Sequence, residues 1–347
     1  MSRTAFLTGG TGFVGANLAR LLLDDGWRVR ALARAGSDRR NFGTLPIEVV
    51  DGDVAEPEPS LAAKIGKADA VFHVAAHYSL FRRDAAALMR SNVIGTRTLL
   101  AAARRAGTGR VVYTSSVAAI GVRHGASADE TFQSTPEALI GTYKRSKYLA
   151  EREALAAAAA GQDVVIVNPS TPIGPWDRKP TPTGEILVRF LRGNMPAAIP
   201  PTGLNVVDVA DVARGHVLAF ERGRPGERYI LGSENLSLRA LLQRVGAIVG
   251  RPAPKYDLPI WIPYAAAWLD EIVLTRLGKS PSIPIDGVRM SEESMFYDTS
   301  KAQRELGYAP STIDVAVRNA VDWYGAHGYY TNGANQQAWQ SRSSKPQ

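Results

Sequence analysis

Tyr143-Lys144-Arg145-Ser146-Lys147, preceded by Thr114-Ser115-Ser116 at the end of a β-branched run, is the arrangement in this chain best suited to proton chemistry. On a helix, a spacing of four residues sets Tyr143 and Lys147 on one face. A free phenol titrates near ~10, and a neighbouring ammonium favours its phenolate. Tyr143 is therefore expected to exchange a proton with a substrate hydroxyl near neutrality. Ser116 would donate to the substrate oxygen and stabilise the charge that develops on it. Taken alone, a Tyr-x-x-x-Lys pair is more often an exposed helix pair, so the assignment needs support from elsewhere in the chain.

That support is Thr8-Gly9-Gly10-Thr11-Gly12-Phe13-Val14-Gly15, which follows a short apolar run and opens a helical stretch. Gly9, Gly12 and Gly15 permit a tight turn and let the backbone reach a pyrophosphate, which rests on the partial positive charge of the helix N-terminus. Phe13 and Val14 complete this cofactor-binding loop. With a dinucleotide in place, Lys147 would also hold the nicotinamide ribose. A chain that binds NAD offers an acidic group after its second strand, and this one offers Arg34, so NADP(H) is favoured over NAD(H). Arg39 and Arg40 add charge. Asp53 is suited to accept from the adenine amino group with Val54 flanking the ring, or else to cap the turn that follows. His73 and His77 have a spacing that can suggest zinc. Val74 follows the first histidine where a glutamate would be needed, and a strand ends there, so no metal is expected. The small residues Ala75 and Ala76 are read instead as room for the cofactor.

These groups need a frame. The first part of the chain alternates short β-branched runs with Ala/Leu/Arg-rich stretches, the rhythm of a parallel doubly wound α/β sheet of Rossmann type. Strands are expected at residues 5–7, 29–32, 47–50, 70–73, 110–113 and 164–167, and helices near 13–25, 60–66, 84–107 and 142–160. A Pro/Gly-rich texture after Asn168-Pro169 marks a smaller C-terminal α+β substrate lobe. A strand and a helix opened by Asp211 then return to the first domain. The expected division is residues 1–170 plus about 205–222 for the cofactor domain, and about 171–204 and 223–330 for the substrate lobe. The polar stretch 331–347 is expected to be a disordered tail.

With no cysteine, disulfide scaffolds and thiolate metal sites are excluded. The net charge of +8 is spread without a basic block or an aromatic-interleaved stripe, which argues against a nucleic-acid partner. The first residues lack the charged and long apolar regions of a secretory signal, which points to the cytoplasm. The apolar stretch 258–277 contains Pro259, Pro263, Asp270, Glu271 and Arg276 and cannot span a bilayer, although association with a membrane surface stays open. Trp261, Tyr264, Trp268 and Leu269 within it would line a pocket for an apolar polyol lipid or pack the second lobe. Arg178 and Lys179 would meet a diphosphate or be solvated loop charges.

Together these motifs resemble the extended short-chain dehydrogenase/reductase superfamily. The Thr8–Gly15 loop, Asp53, the Ala75-Ala76 pair, Asn92-Val93-Ile94-Gly95-Thr96, Ser115-Ser116, Tyr143/Lys147 and Asn168-Pro169 appear in that family's order. Asp298-Thr299-Ser300-Lys301 with Leu306-Gly307-Tyr308 and Pro310 looks like its C-terminal pattern. The stretch from Pro169 to Gly184 is closest to hopanoid-associated sugar epimerases, with dihydroflavonol reductase-like enzymes next. The resemblance implies an NADP(H)-dependent epimerase or reductase acting on a secondary alcohol or ketone of a sugar-like or polyol-lipid substrate. It further implies that Asn92 supports the active-site helix, that Pro169 adjoins the nicotinamide, and that the two long helices form a homodimer interface. A non-catalytic dinucleotide sensor is the remote alternative, against which the intact Ser116, Tyr143 and Lys147 argue.

Overall fold

The computed structural model describes residues 2–195, 197–276, 281 and 283–331. The alternating first part folds as β1 (Thr4–Thr8), α1 (Phe13–Asp24), β2 (Arg28–Ala33), β3 (Ile47–Asp51), α2 (Glu58–Ile65), β4 (Ala70–His73), α3 (Ala85–Leu88), α4 (Gly95–Arg105), β5 (Arg110–Thr114), α5 (Val117–Ile120), α6 (Gly141–Ala159) and β6 (Val164–Pro169). Then come β7 (Thr171–Ile173), α7 (Pro182–Leu191), β8 (Ala197–Ala198), β9 (Gly203–Asp208), α8 (Val209–Arg222), β10 (Arg228–Leu231), β11 (Glu234–Ser237) and α9 (Leu238–Val249). The last elements are β12 (Tyr256–Asp257), α10 (Trp261–Arg276), α11 (Ile285–Met290), β13 (Ser294–Met295), α12 (Ser300–Leu306) and α13 (Ile313–Ala326). All but the first residue of the expected polar tail lies outside the described residues.

Seven parallel strands lie in the order β10-β6-β5-β4-β1-β2-β3. Val111, Val112 and Val164 to Val167 are buried, as the interior strands of a sheet covered on both faces require. Leu18 and Leu22 of α1 and Val212 and Val217 of α8 cover one face. Leu61 of α2, Leu99 of α4 and Ala150 and Ala154 of α6 cover the other. The strand order reverses between β1 and β4. The loops leaving their C-terminal ends diverge there and open the crevice in which such sheets take their ligands.

Several features depart from the sequence reading. Residues 223–330 were expected in the second lobe, yet β10 pairs with β6, Arg228–Leu231 against Ile166–Pro169, because its apolar side chains complete the large sheet's edge. The returning strand β9 belongs instead to the small sheet, between β11 and β13 with β7 also alongside it, and only α8 packs back on α1. That helix is capped by Asp208, whose Oδ1 accepts from Ala210 N at 2.8 Å. Asp211 instead accepts from the backbone N–H and the hydroxyl of Ser311, at 2.7 and 2.6 Å.

The helix expected across 84–107 is broken by a wide π turn at Met89–Ile94. Such turns insert a residue into the helical ladder and re-aim side chains, often at functional sites. Here the turn carries Asn92. The second lobe has its own core, in which Leu187 and Phe190 of α7, Leu241 and Leu242 of α9 and Val317 and Tyr324 of α13 pack together.

Candidate active site

The glycine loop meets its steric demands at two positions. Gly9 has φ +74°, and a Cβ there would lie 2.6 Å from the backbone N of Ala75. A Cβ on Gly15 would lie 2.1 Å from the carbonyl oxygen of Gly9. The loop closes through Gly12 N donating to Gly9 O at 3.0 Å. The N-terminus of α1 has no side-chain cap, so the first N–H groups, at Phe13, Val14 and Gly15, are left for an anion, and exposed Gly12 puts no side chain in the way. This cradle fits a dinucleotide pyrophosphate.

The walls of the crevice are fastened across strands. Thr8 Oγ1 hydrogen-bonds His73 Nδ1 at 2.8 Å and accepts from Ala75 N at 3.1 Å, and His73 Nε2 meets Thr96 Oγ1 at 3.0 Å. His73 is thus consumed as a buried clamp between β1, β4 and α4, and it belongs to no cluster of three or more His, Asp or Glu side chains suited to a metal ion among the described residues. Ala76 stays exposed beside it. Asn92 accepts from His77 N at 2.7 Å and donates to His77 O at 3.0 Å and to Ser146 Oγ at 2.9 Å. The π turn therefore ties the loop after β4 to α6, one residue before Lys147.

Burial holds the His73 ring neutral, with its pKa brought down to about 3 and Lys147 adding to the shift. His216, which hydrogen-bonds Thr114 Oγ1 at 2.8 Å, is likewise brought down to about 4 by burial. The unfolded chain protonates these rings near 6.5 while the folded chain does not, so their contribution to stability is lost progressively as pH falls below that value. Buried Asp177, pushed up to about 6 from 3.8, acts in the opposite sense as pH falls through that window. The check is therefore a comparison of slopes. His73→Gln should lose Tm less steeply than the wild type between pH 6.5 and 4, and parallel slopes would remove His73 from the account.

At the C-terminal edge of β5, Ser116 adopts extended backbone, caps α5 by accepting from Ala118 N at 3.1 Å, and leaves its side chain half-exposed. Tyr143 stands in the first turn of α6, and the Ser116 hydroxyl is near enough to lower its pKa. Burial outweighs that effect and pushes the phenol up to about 12. This corrects the expected phenolate. Lys147, one turn on, donates to the backbone carbonyl of Thr114 at 2.8 Å and lies 5.3 Å from the Tyr113 ring centre. Burial draws its ammonium down to about 8, while Glu151 opposes the change.

Two neighbours escaped the sequence reading. Tyr78 lies edge-on to Tyr143 with ring centres 4.5 Å apart, at a position that no spacing signals. Glu151 continues the Tyr143–Lys147 face by one more turn, a period that could have revealed it. It is buried, accepts from Asn168 Nδ2 at 2.6 Å and pairs with Arg228 at 3.0 Å. Asn168 also donates to the Ser116 carbonyl at 3.0 Å, so a buried carboxylate on α6 is linked through β6 to the backbone of Ser116. Pro169 follows, buried at the end of β6.

At the far end of the crevice, Arg39 pairs with Asp51 and Arg40 with Asp38, which leaves exposed Arg34 without an ion pair among the described residues. Asp53 caps its own turn, Oδ1 accepting from Ala55 N at 2.8 Å, and Val54 packs beside Gly95. Arg178 donates to Asn41 Oδ1 at 3.1 Å, while Lys179 is exposed.

Among curated proteins, the chain is 57% identical over 334 residues to a putative dihydroflavonol 4-reductase of Synechocystis, covering 95% of this chain and 96% of that one. It is 33% identical over 327 residues to sterol demethylase protein B of Methylococcus capsulatus, covering 94% and 99%. A crystal structure of a nucleoside-diphosphate-sugar epimerase from Pseudomonas aeruginosa superposes with a TM-score of 0.77 at 25% identity, over 95% of this chain and 100% of that one. A two-lobed fold with a glycine cradle, a Ser/Tyr/Lys cluster and this degree of likeness make the chain an NAD(P)-dependent oxidoreductase, of the type that binds a nicotinamide dinucleotide. Residues 5–232 match the profile of the NAD dependent epimerase/dehydratase family, and the chain belongs to that family.

Proposed function

We propose that this enzyme is an NADP(H)-dependent oxidoreductase that interconverts a secondary alcohol and its ketone on a sugar-like or polyol group borne by an apolar skeleton. The reading is supported chiefly by Ser116 lying within reach of Tyr143 at the end of β5, with Lys147 donating to the carbonyl of Thr114, two residues before Ser116, and the N-terminus of α1 left uncapped. When bound, the nicotinamide supplies or accepts hydride. Gly9, Gly12, Phe13, Val14 and Gly15 hold the pyrophosphate, Arg34 the 2′-phosphate, and Asp53 and Val54 border the adenine. Ala75, Ala76 and Pro169 line the path toward the reacting carbon, and Asn92 braces α6.

Ser116 orients the substrate oxygen, and Tyr143 exchanges its proton. A phenol held protonated is set to give that proton to a carbonyl oxygen, the reductive direction. Lys147, still an ammonium at neutral pH, holds the ribose and stabilises Tyr143 once its proton has left. The reductase named among the relatives favours net reduction, and the sterol-named relative favours an apolar ring skeleton. The structural likeness to a sugar epimerase, together with the hopanoid-associated resemblance, favours the second reading, in which oxidation and re-reduction invert one centre. We place a homodimer contact on α4 and α6, beside which Ile94 and Leu149 stay exposed.

Stereospecifically deuterated NADPH with candidate ketones, and NADP⁺ with candidate polyols, test the reaction. Deuterium in the product with stoichiometric NADP⁺ selects reduction, inversion without net cofactor use selects epimerisation, and neither, with cofactor bound, defeats the proposal. NADP(H) should bind at least about tenfold more tightly than NAD(H), one charged contact being worth about 1.4 kcal/mol. Arg34→Glu should reverse the order, and equal affinities in the wild type would defeat the role given to Arg34.

A further inference from the structure

Helix α10 carries its largest apolar side chains on the side that faces water. Ala267 is buried, and α10 rests against α11, with Tyr264 donating to Glu292 at 2.7 Å. At 100° per residue, Trp261, Ala265, Trp268, Leu269, Ile272 and Val273 form a stripe on roughly the opposite side. Trp261 is 66% exposed, Trp268 62%, Leu269 53% and Val273 51%, while Ile272 is half-buried. Tyr256, just ahead of the helix, is also exposed. Of the two roles expected for these residues, packing of the second lobe is not taken by Trp261, Trp268 and Leu269, which lie outside its core among the described residues. Single exposed apolar residues are ordinary, but a stripe of this length marks a contact surface.

We infer that α10 seats this face in the headgroup region of an anionic phospholipid bilayer. Indole rings and branched aliphatic side chains on one face of a surface helix are suited to that depth. Exposed Arg276 ends the helix and exposed Lys255 precedes it in the chain, and neither forms an ion pair among the described residues. The acidic groups Asp270 and Glu271 fall off its centre, and Asp257 pairs with Arg239. The chain as a whole carries +8, so an anionic surface attracts it. No helix among the described residues is long and apolar enough to cross a membrane, so the contact is peripheral.

The position of α10 gives this contact a use. Its partner α11 abuts the start of α6, where a Cβ on Gly141 would lie 2.7 Å from Asp286 Oδ2. Leu80, two residues beyond Tyr78, lies beside Gly287 of α11. The buried pair Lys144–Glu293, at 2.9 Å, fastens the segment after α11 to the same turn of α6. Anchoring α10 therefore holds, through α11, the elements that carry Tyr78 and Tyr143 close to the bilayer surface, where an amphiphilic substrate resides. This use rests on the proposed reaction at Tyr143, whereas the anchoring does not.

The test is co-sedimentation of the full chain with phosphatidylcholine vesicles and with equimolar phosphatidylcholine/phosphatidylglycerol vesicles, with tryptophan emission read in parallel. Binding to the anionic vesicles with a blue shift, weakened by salt, is expected. Trp268→Glu combined with Leu269→Glu should lower that affinity at least tenfold while NADPH binding is unchanged, and Arg276→Glu should reduce the preference for phosphatidylglycerol. Absence of binding overturns the inference, as does equal binding to both vesicle types. Light scattering that shows a dimer broken by the double substitution, without vesicle binding, would assign the face to a second copy of the chain. Vesicle binding by a protein that fails the deuterium test leaves the anchor standing and removes only the reaction.

Discussion

Tyr143→Phe is expected to lower turnover by roughly a hundred- to ten-thousand-fold, the range spanned by a positioned acid or base, with NADPH affinity little changed. The substitution removes the transferable proton and almost no volume, and the ring keeps its edge contact with Tyr78. Because burial holds the phenol near 12, the wild type keeps its proton donor across the neutral range. The alkaline limb of a kcat profile for reduction should therefore begin with Lys147, brought down to about 8, rather than with Tyr143. Steady-state rates paired with fluorescence titration of NADPH make the check. A Tyr143→Phe enzyme retaining near wild-type turnover would remove Tyr143 from the proton path.

Glu151→Ala is expected to destabilise the fold by about 3–5 kcal/mol, as when one partner of a buried ion pair is removed. Its carboxylate is buried and faces Arg228, whose side chain is only 13% exposed. Among the described residues, the truncation would leave that guanidinium hydrogen-bonded to the Glu130 carbonyl alone. Asn168 would lose the anchor from which it reaches Ser116. Glu151 also raises the pKa of Lys147, so its loss should move the alkaline limb to lower pH, which a purely structural role would not do. Urea unfolding and a pH–rate profile of Glu151→Ala, with Glu151→Gln as the shape-preserving control, separate the two effects. A loss below about 1 kcal/mol, the size of an exposed pair, with an unmoved profile would refute the positioning role.

The sheet was legible because its most deeply interior strands are covered on both faces and read as apolar runs, as at Val164–Val167. The six expected strands, from the run at residues 5–7 to that at 164–167, each lie within an observed strand. Helix ends were less legible. Asp208 and Asp211 both have the chemistry of a cap, and only the position of Ser311, brought in from a hundred residues away, decides which of them is free to do it. The break at Met89–Ile94 was hidden for a related reason. A π turn has no local composition of its own, and this one persists beside partners, His77 and Ser146, supplied by other elements.

For the site, the sequence by itself determined the parts that depend on covalent spacing. A glycine loop between a strand and a helix, and a tyrosine and lysine one turn apart, are fixed relative to each other wherever the chain goes. Whatever depends on burial was decided by the tertiary structure. Tyr143 carries a raised rather than a lowered pKa because packing removes water from it, while Lys147 turns its ammonium to the Thr114 carbonyl. Arg34 is distinguished from Arg39 and Arg40 only once Asp51 and Asp38 are seen to occupy the other two. The tryptophans of α10 show the same division, since their type is written in the sequence, but a side chain's hydrophobicity does not say which way its helix will turn.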